Sequence, residues 1–221
     1  MAYFSHRDFP DAFVLDAPRY GIYRGFAKRA IDIILTVALA PVALIIIGCA
    51  ALFIARDGHS PFYTQRRIGL NGRAFSMLKL RSMVPNADDL LETYLDSNPE
   101  ARIEWDDKQK LRNDPRITRF GKLIRKCSID ELPQLWNVLT GEMSIVGPRP
   151  MMVNQRDIYP GVAYYAMRPG ITGYWQVSDR NESNFSERAL HDTIYYREIS
   201  LRADFLTILR TVGVVLIGTG Q

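Results

Sequence analysis

Few residues in this sequence announce a metal cage or a covalent framework. Across 221 residues there are two cysteines, Cys49 and Cys127, and three histidines, His6, His59 and His191. Two cysteines this far apart, one of them inside the most apolar run, build no disulfide scaffold and offer no paired thiolates to zinc; such sparing use fits a reducing compartment. The histidines have no metal-ligand spacing and are assigned no chemistry. Charge of one sign is also scarce, since 28 Lys+Arg against 24 Asp+Glu leave only +4. That balance favours anionic partners, but it is modest for a nucleic-acid binder and no nucleic-acid motif accompanies it. With 47% hydrophobic and 24% charged residues, the chain is neither disordered nor polytopic. Its length allows one functional unit with a real core and an appendage.

What the sequence does have is one long uncharged segment. Before it, residues 1–27 mix Tyr, Phe, Pro and Asp without a period and without the charge arrangement of a secretory signal, and read as a loose arm. Residues 33–55 then run 23 positions without a charge, about 34 Å of helix, which is membrane length. Lys28 and Arg29 precede the run and Arg56, Arg66 and Arg67 follow it, so both flanks carry the cations that prefer the cytoplasmic side. Pro41 removes one helical hydrogen bond and crowds the preceding turn, and a bend there lets a helix over residues 28–56 enter and leave by one face. A straight, tilted span with a tolerated proline is the alternative.

The remaining residues, 57–221, read as α+β and mostly α. Turn signals at Leu70, Asn71 and Gly72 separate two short extended segments, residues 62–68 and 74–80, which predicts a hairpin. Residues 81–115 are acidic or mixed in charge and read as a solvated, variable insertion. Over residues 116–126, Ile117, Phe120, Leu123 and Ile124 share one helical face, with Arg116, Arg119, Lys122, Arg125 and Lys126 elsewhere. Such a basic amphipathic helix either lies at an anionic membrane surface or packs on the protein's own core. Residues 199–219 form a C-terminal helix, apolar apart from Arg202, Asp204 and Arg210, of interfacial or core type.

Chemistry is densest in residues 125–137, RKCSIDELPQLWN, and in Gly147-Pro148-Arg149-Pro150. Ser128 and Glu131 have capping-box spacing, so one reading is that they only start a helix. Pro133 disfavours Ser128 as N-cap and suits Asp130 better; either register leaves Asp130 near a helix N-terminus, where a carboxylate or a substrate phosphate is stabilised. Adjacent helical residues point about 100° apart, so Asp130 and Glu131 divide their labour, one attacking and one assisting. An aspartate attacking phosphorus needs a neutralised leaving group, for which Arg125, Arg149 and a divalent metal are the candidates. The two prolines around Arg149 stiffen its loop, and a guanidinium held in place suits bidentate phosphate recognition.

Four pieces occur in order: Lys79-Leu80-Arg81-Ser82-Met83, the 125–137 block, Ser144-Ile145-Val146 running into Gly147-Pro148-Arg149-Pro150, and Arg168-Pro169-Gly170-Ile171-Thr172-Gly173. Together they resemble the bacterial sugar transferases, or polyprenyl-phosphate hexose-1-phosphate transferases, over roughly residues 28–217. Ala40 stands where that family often has Ser, and Asp179 where Gly is usual. The resemblance implies a monotopic enzyme of the bacterial inner membrane, facing the cytoplasm, with a re-entrant helix bent at Pro41. It also implies magnesium, held at Asp130 and Glu131, and a ping-pong mechanism. Asp130 would attack the β-phosphorus of a UDP-sugar, release UMP and hold the phosphosugar, and Glu131 would help undecaprenyl phosphate take it up. Arg125 and Arg149 are the expected phosphate ligands and Arg180 a further substrate ligand, while Lys79 and Arg81 face either the active site, as substrate ligands, or the membrane surface. UDP-galactose or UDP-glucose is the expected donor, membrane lipids are partners, and a homodimer is conceivable for so minimal a unit. A noncatalytic membrane-surface adaptor, with Asp130 and Glu131 serving only as caps, accounts for the charge and Pro41 but not for Gly147-Pro148-Arg149-Pro150.

Overall fold

The computed structural model describes residues 21–108, 111–178 and 187–217. They form an α+β fold, mostly helical, around a long N-terminal helix. That helix, α1 (Lys28–Ile54), is extended by a π-helical turn at Tyr23–Ala27 and a 3-10 turn at Ala55–Asp57. The whole rod is long and apolar enough to cross a membrane. Residues 22–27, expected as part of a loose arm, are instead helical and held in place: Tyr23 Oη donates to Asp204 (2.6 Å) and Arg24 lies 4.0 Å over the Tyr196 ring. Residues 1–20 lie outside the described residues.

Within α1 the buried positions are Asp32, Thr36, Ala43 and Ala50, a single stripe of small or polar side chains at helical spacing. Around it Ile34, Val37, Leu39, Val42, Leu44, Ile45 and Leu52 are exposed, each by more than half of its surface. A monomer in water does not carry an apolar surface of that extent. Pro41 sits on the exposed side, and the α-helix runs on through it from Lys28 to Ile54.

Both ends of α1 are fixed to the same body. At its start, Lys28 pairs with Asp204 (2.6 Å), and Arg29 donates to the carbonyls of Val138 (2.6 Å) and Leu139 (3.0 Å). Asp32 accepts from Ser144 Oγ (2.7 Å) and from the Ile145 amide (3.1 Å). At its far end, Ala50 packs with Leu80 and Ile124, and Phe53 meets Phe120 at a ring separation of 4.3 Å.

The predicted hairpin forms from β1 (Phe62–Ile68) and β2 (Ala74–Leu80), turning at Leu70–Gly72, where Asn71 has φ 56°. The short β4 (Met151–Met152) adds to β1, giving an antiparallel sheet of order β2-β1-β4. A separate parallel pair joins β3 (Ser144–Val146) to β5 (Gly170–Thr172). The insertion contains α2 (Ala87–Ser97) and α3 (Pro99–Lys108), which enclose a small core of Leu91, Leu95 and Ala101.

The basic amphipathic helix is α4 (Arg119–Lys126), capped by Thr118 Oγ1 on the Gly121 amide. Of its two readings, packing is observed, since Ile124 and Phe120 lie against α1, while Leu123 remains 55% exposed. After α5 (Gln134–Thr140), the last helices among the described residues are α6 (Glu187–Glu198) and α7 (Leu201–Ile217). Ala203, Asp204 and Thr207 of α7 face inward, whereas Leu201, Phe205, Leu209 and Val212 are exposed. Asp204 accepts from Tyr23, Lys28 and Tyr195, tying α1, α6 and α7 together.

Candidate active site

The cross-strand register of the hairpin pairs Arg67 with Phe75, Gln65 with Met77 and Tyr63 with Lys79. Directly opposed residues share a sheet face, so these six side chains project to one side. Phe75 and Met77 bury there against Val138 and Met143, which seats α5 and the turn before it over the same face. Asn137 fixes the seat, since its Nδ2 donates to the Ser76 carbonyl (2.9 Å) and its Oδ1 accepts from the Leu78 amide (3.0 Å). An amide side chain thus replaces a neighbouring strand along β2.

Lys79 emerges from that face beside the acidic pair. Its Nζ is 2.8 Å from Glu131 Oε1 and 4.0 Å from Asp130 Oδ2. Asp130 and Glu131 lie on a 3-10 turn, Ile129–Glu131, entered through Ser128 in the left-handed region at φ 54°. The helix itself starts at Gln134 with Pro133 as N-cap. Neither predicted capping register forms, and Ser128 makes no side-chain cap. Asp130 stands one turn ahead of α5 because Pro133, lacking an N–H, is accommodated at the helix boundary.

Asp130 is 5% exposed. Burial, which disfavours the charged form, raises its carboxyl above the usual range, with the neighbouring Glu131 charge adding; Lys79 and Arg125 act in the opposite direction. Arg125, at the end of α4, thus reaches Asp130 through its charge. Arg81 is placed elsewhere than expected. Its guanidinium takes both carboxylate oxygens of Asp57 (2.7 Å each) and the carbonyls of Ile54 and Ser60, closing the C-terminal end of α1. Arg180 lies outside the described residues, as does Asp179.

The cleft beside Lys79 and Glu131 is also lined by Arg149 and Pro150 of the G-P-R-P loop, and by Arg67, Gln134, Ile171 and Gln176. The loop is pinned from two sides: the Gly147 amide donates to the Thr172 carbonyl and the Gly170 amide to Pro148, both at 2.8 Å. Glycine is required where β3 and β5 approach, because a Cβ on Gly147 would lie 2.4 Å from the Arg168 carbonyl oxygen and one on Gly173 2.0 Å from that of Gly147. This crossing explains why G-P-R-P and R-P-G-I-T-G go together.

Two cationic residues and one amide, Arg67, Arg188 and Gln134, escaped the sequence reading or were read only as flanking charge. Arg67 is 9% exposed and donates to the Pro150 carbonyl (3.0 Å), and burial followed by the charges of Arg149 and Arg188 brings its guanidinium down to about 10, so it stays protonated at neutral pH. Arg188, buried on α6, and Arg149 lie 5.7 and 6.0 Å from the Trp175 ring centroid. Asp192, 4.0 Å from Arg188 Nε, accepts from Tyr159 Oη (2.6 Å). Alternation along β1 would have placed Arg67 once the hairpin register was known; no local signal marks Arg188 or Gln134.

Guanidiniums sharing a cleft with Lys79 and the half-buried Glu131, with the buried carboxylate of Asp130 alongside, make an arrangement suited to a polyanion and to a carboxylate nucleophile. Comparison with known proteins agrees in kind. Residues 23–218 match the family model described as bacterial sugar transferase. A UDP-galactose-lipid carrier transferase of Erwinia amylovora is 47% identical over 193 residues, 86% of this chain and 40% of that one. Exopolysaccharide production protein ExoY of Sinorhizobium fredii is 42% identical over 203 residues, 89% of this chain and 88% of the relative. An undecaprenyl-phosphate galactose phosphotransferase of Salmonella typhimurium is 42% identical over 193 residues, again 40% of its own length. The chain therefore belongs to the bacterial sugar transferase family.

Proposed function

We propose that the chain transfers a hexose-1-phosphate from a UDP-sugar to undecaprenyl phosphate at the inner membrane, releasing UMP. The observation that carries this reading is the buried Asp130 beside Glu131, both within 4.0 Å of the Lys79 ammonium, next to a cleft that Lys79 and Glu131 line together with Arg67 and Arg149. Asp130 attacks the β-phosphorus, its new O–P bond forming as the bond to the bridging oxygen breaks. Lys79 favours the ionised carboxylate against burial, and the guanidiniums neutralise the departing phosphate. Burial of Asp130 keeps water from the resulting acyl phosphate until the lipid phosphate attacks in turn. Glu131 orients that phosphate or takes its proton.

Asp130 and Glu131 offer the oxygen donors that suit Mg2+, an ion usually held by one or two carboxylates with the rest left to substrate phosphates and water. When bound, the ion would add charge neutralisation at the diphosphate. Galactose is the sugar favoured, on the names of the Erwinia and Salmonella relatives.

A monotopic, re-entrant setting at the cytoplasmic face is supported by the attachment of both ends of α1 to one catalytic body and by the basic residues flanking it. A lipid phosphate at the interface is then level with the cleft. Purified protein in nanodiscs with Mg2+, UDP-galactose and undecaprenyl phosphate should release UMP, and Asp130→Asn should lower release by about 10³-fold or more while leaving the protein membrane-bound. Release by the variant at the wild-type rate, or a trapped intermediate with no phosphosugar on Asp130, would overturn the assignment.

A further inference from the structure

Two donors in the cleft have no partner among the described residues. Arg67 spends Nη1 on Pro150 and Nη2 on Gln65, but its Nε is buried and unmatched. Gln134 is 2% exposed, and its Nε2 is likewise buried and unmatched. Both residues line the cleft with Arg149. Buried donors are nearly always satisfied, and a cationic donor beside a second guanidinium calls for an anion.

Resting on the transfer reaction above, we propose that Arg67 and Gln134 form one phosphate-monoester subsite that is filled twice per turnover, first by the leaving nucleoside monophosphate and then by the polyprenyl phosphate. The reason is stereochemical. Both displacements occur at the same phosphorus with Asp130 on one side, and in-line geometry puts the other partner opposite. In the first step the Asp130 O–P bond forms while the P–O bond to the nucleotide breaks, and the electron pair leaves with UMP. In the second a lipid phosphate oxygen bonds to phosphorus while the Asp130 O–P bond breaks and the carboxylate is restored. Leaving group and acceptor are both phosphate monoesters, so one pair of donors serves both, with uridine and the isoprenoid tail recognised elsewhere.

The test uses the full chain in nanodiscs, with Arg67→Lys, which keeps the charge and a donor for Pro150, and Gln134→Leu, which keeps the volume. The KM for undecaprenyl phosphate and the inhibition constant of UMP against it do not depend on what fraction of the enzyme is folded. Both should rise together, by about tenfold for each variant, the scale of one lost charge-assisted hydrogen bond. If neither variant turns over, UMP binding to Asp130→Asn is compared by calorimetry with and without Arg67→Lys, using a short-chain polyprenyl phosphate as competitor. The same tenfold loss and mutual displacement are expected. Variants that weaken one ligand but not the other, or neither, overturn the shared subsite while leaving the transfer reaction intact. Failure of the wild-type chain to release UMP from any UDP-sugar sinks both.

Discussion

Removing the Asp32 carboxylate should loosen the fold from within, although this residue lies on the long apolar helix and far from Asp130 in sequence. Asp32 is 4% exposed and accepts two hydrogen bonds, from Ser144 Oγ at 2.7 Å and from the Ile145 amide at 3.1 Å. In Asp32→Ala the hydroxyl has a fallback, since the Val146 carbonyl is 2.9 Å away. The Ile145 amide, half-buried, loses its acceptor beside the space the side chain leaves. One orphaned donor plus one lost charge-assisted bond amounts to about 2–4 kcal/mol. In Asp32→Asn the amide oxygen still accepts from Ile145, and the NH2 can donate to Ser144 while that hydroxyl turns to Val146. The expected loss is then about 1 kcal/mol or less. Because β3 runs directly into Gly147-Pro148-Arg149, Asp32→Ala should also raise the KM for the UDP-sugar more than Asp32→Asn does. Thermal unfolding in nanodiscs and steady-state kinetics measure both. Equal destabilisation by the two substitutions would refute the hydrogen-bond account in favour of a need for the charge itself, and a loss under about 1 kcal/mol for the alanine would refute the tie altogether.

Lys79→Met should move the acidic limb of the pH profile of kcat/KM for the donor to higher pH, because Lys79 opposes the upward shift that burial imposes on Asp130; an unmoved limb counts against Asp130 as the group that must ionise. Gly147→Ala forces a Cβ to 2.4 Å from the Arg168 carbonyl oxygen, and should cost about 1–3 kcal/mol in unfolding and at least tenfold in activity, whereas Gly48→Ala, with nothing within 4 Å, should do neither. Burial raises the Asp192 carboxyl from 3.8 to about 6, so its folded form holds a proton that the unfolded chain gives up. Its contribution to stability is full below about pH 4 and is lost as pH climbs through about 6, on the order of 3 kcal/mol. Asp192→Asn should remove that slope, so its unfolding midpoint relative to wild type should rise from pH 4 to 7; parallel curves would show that Asp192 does not titrate in this range.

The hairpin, the long apolar helix and the amphipathic α4 were legible because each rests on a local pattern: alternation around an Asn-Gly turn, an uncharged run, and a 3.6-residue period, although Thr118 starts the helix at Arg119 and not at Arg116. The acidic pair and G-P-R-P were legible as chemistry. Three things were not. The cap register around Ser128 failed because a left-handed serine and a 3-10 turn satisfy the backbone without the predicted helix. Arg81 was misread because its partner, Asp57, is 24 positions away on the end of α1. Arg67, Gln134, Arg188 and Asp32 draw their roles from tertiary neighbours, and a lone polar residue in sequence carries no record of them.

Asp32 and Arg29 belong at the same time to the long apolar rod and to the interior that the rest of the chain folds around, so α1 is not a tether that can be trimmed away. A shortened chain starting after Gly58 would uncover Leu80 and Ile124 and remove the hydrogen bonds that Arg29 and Asp32 make to α5 and β3. A water-soluble version of this enzyme is better sought by repainting the outward side of the rod with polar residues, leaving positions 32, 36, 43 and 50 as they are.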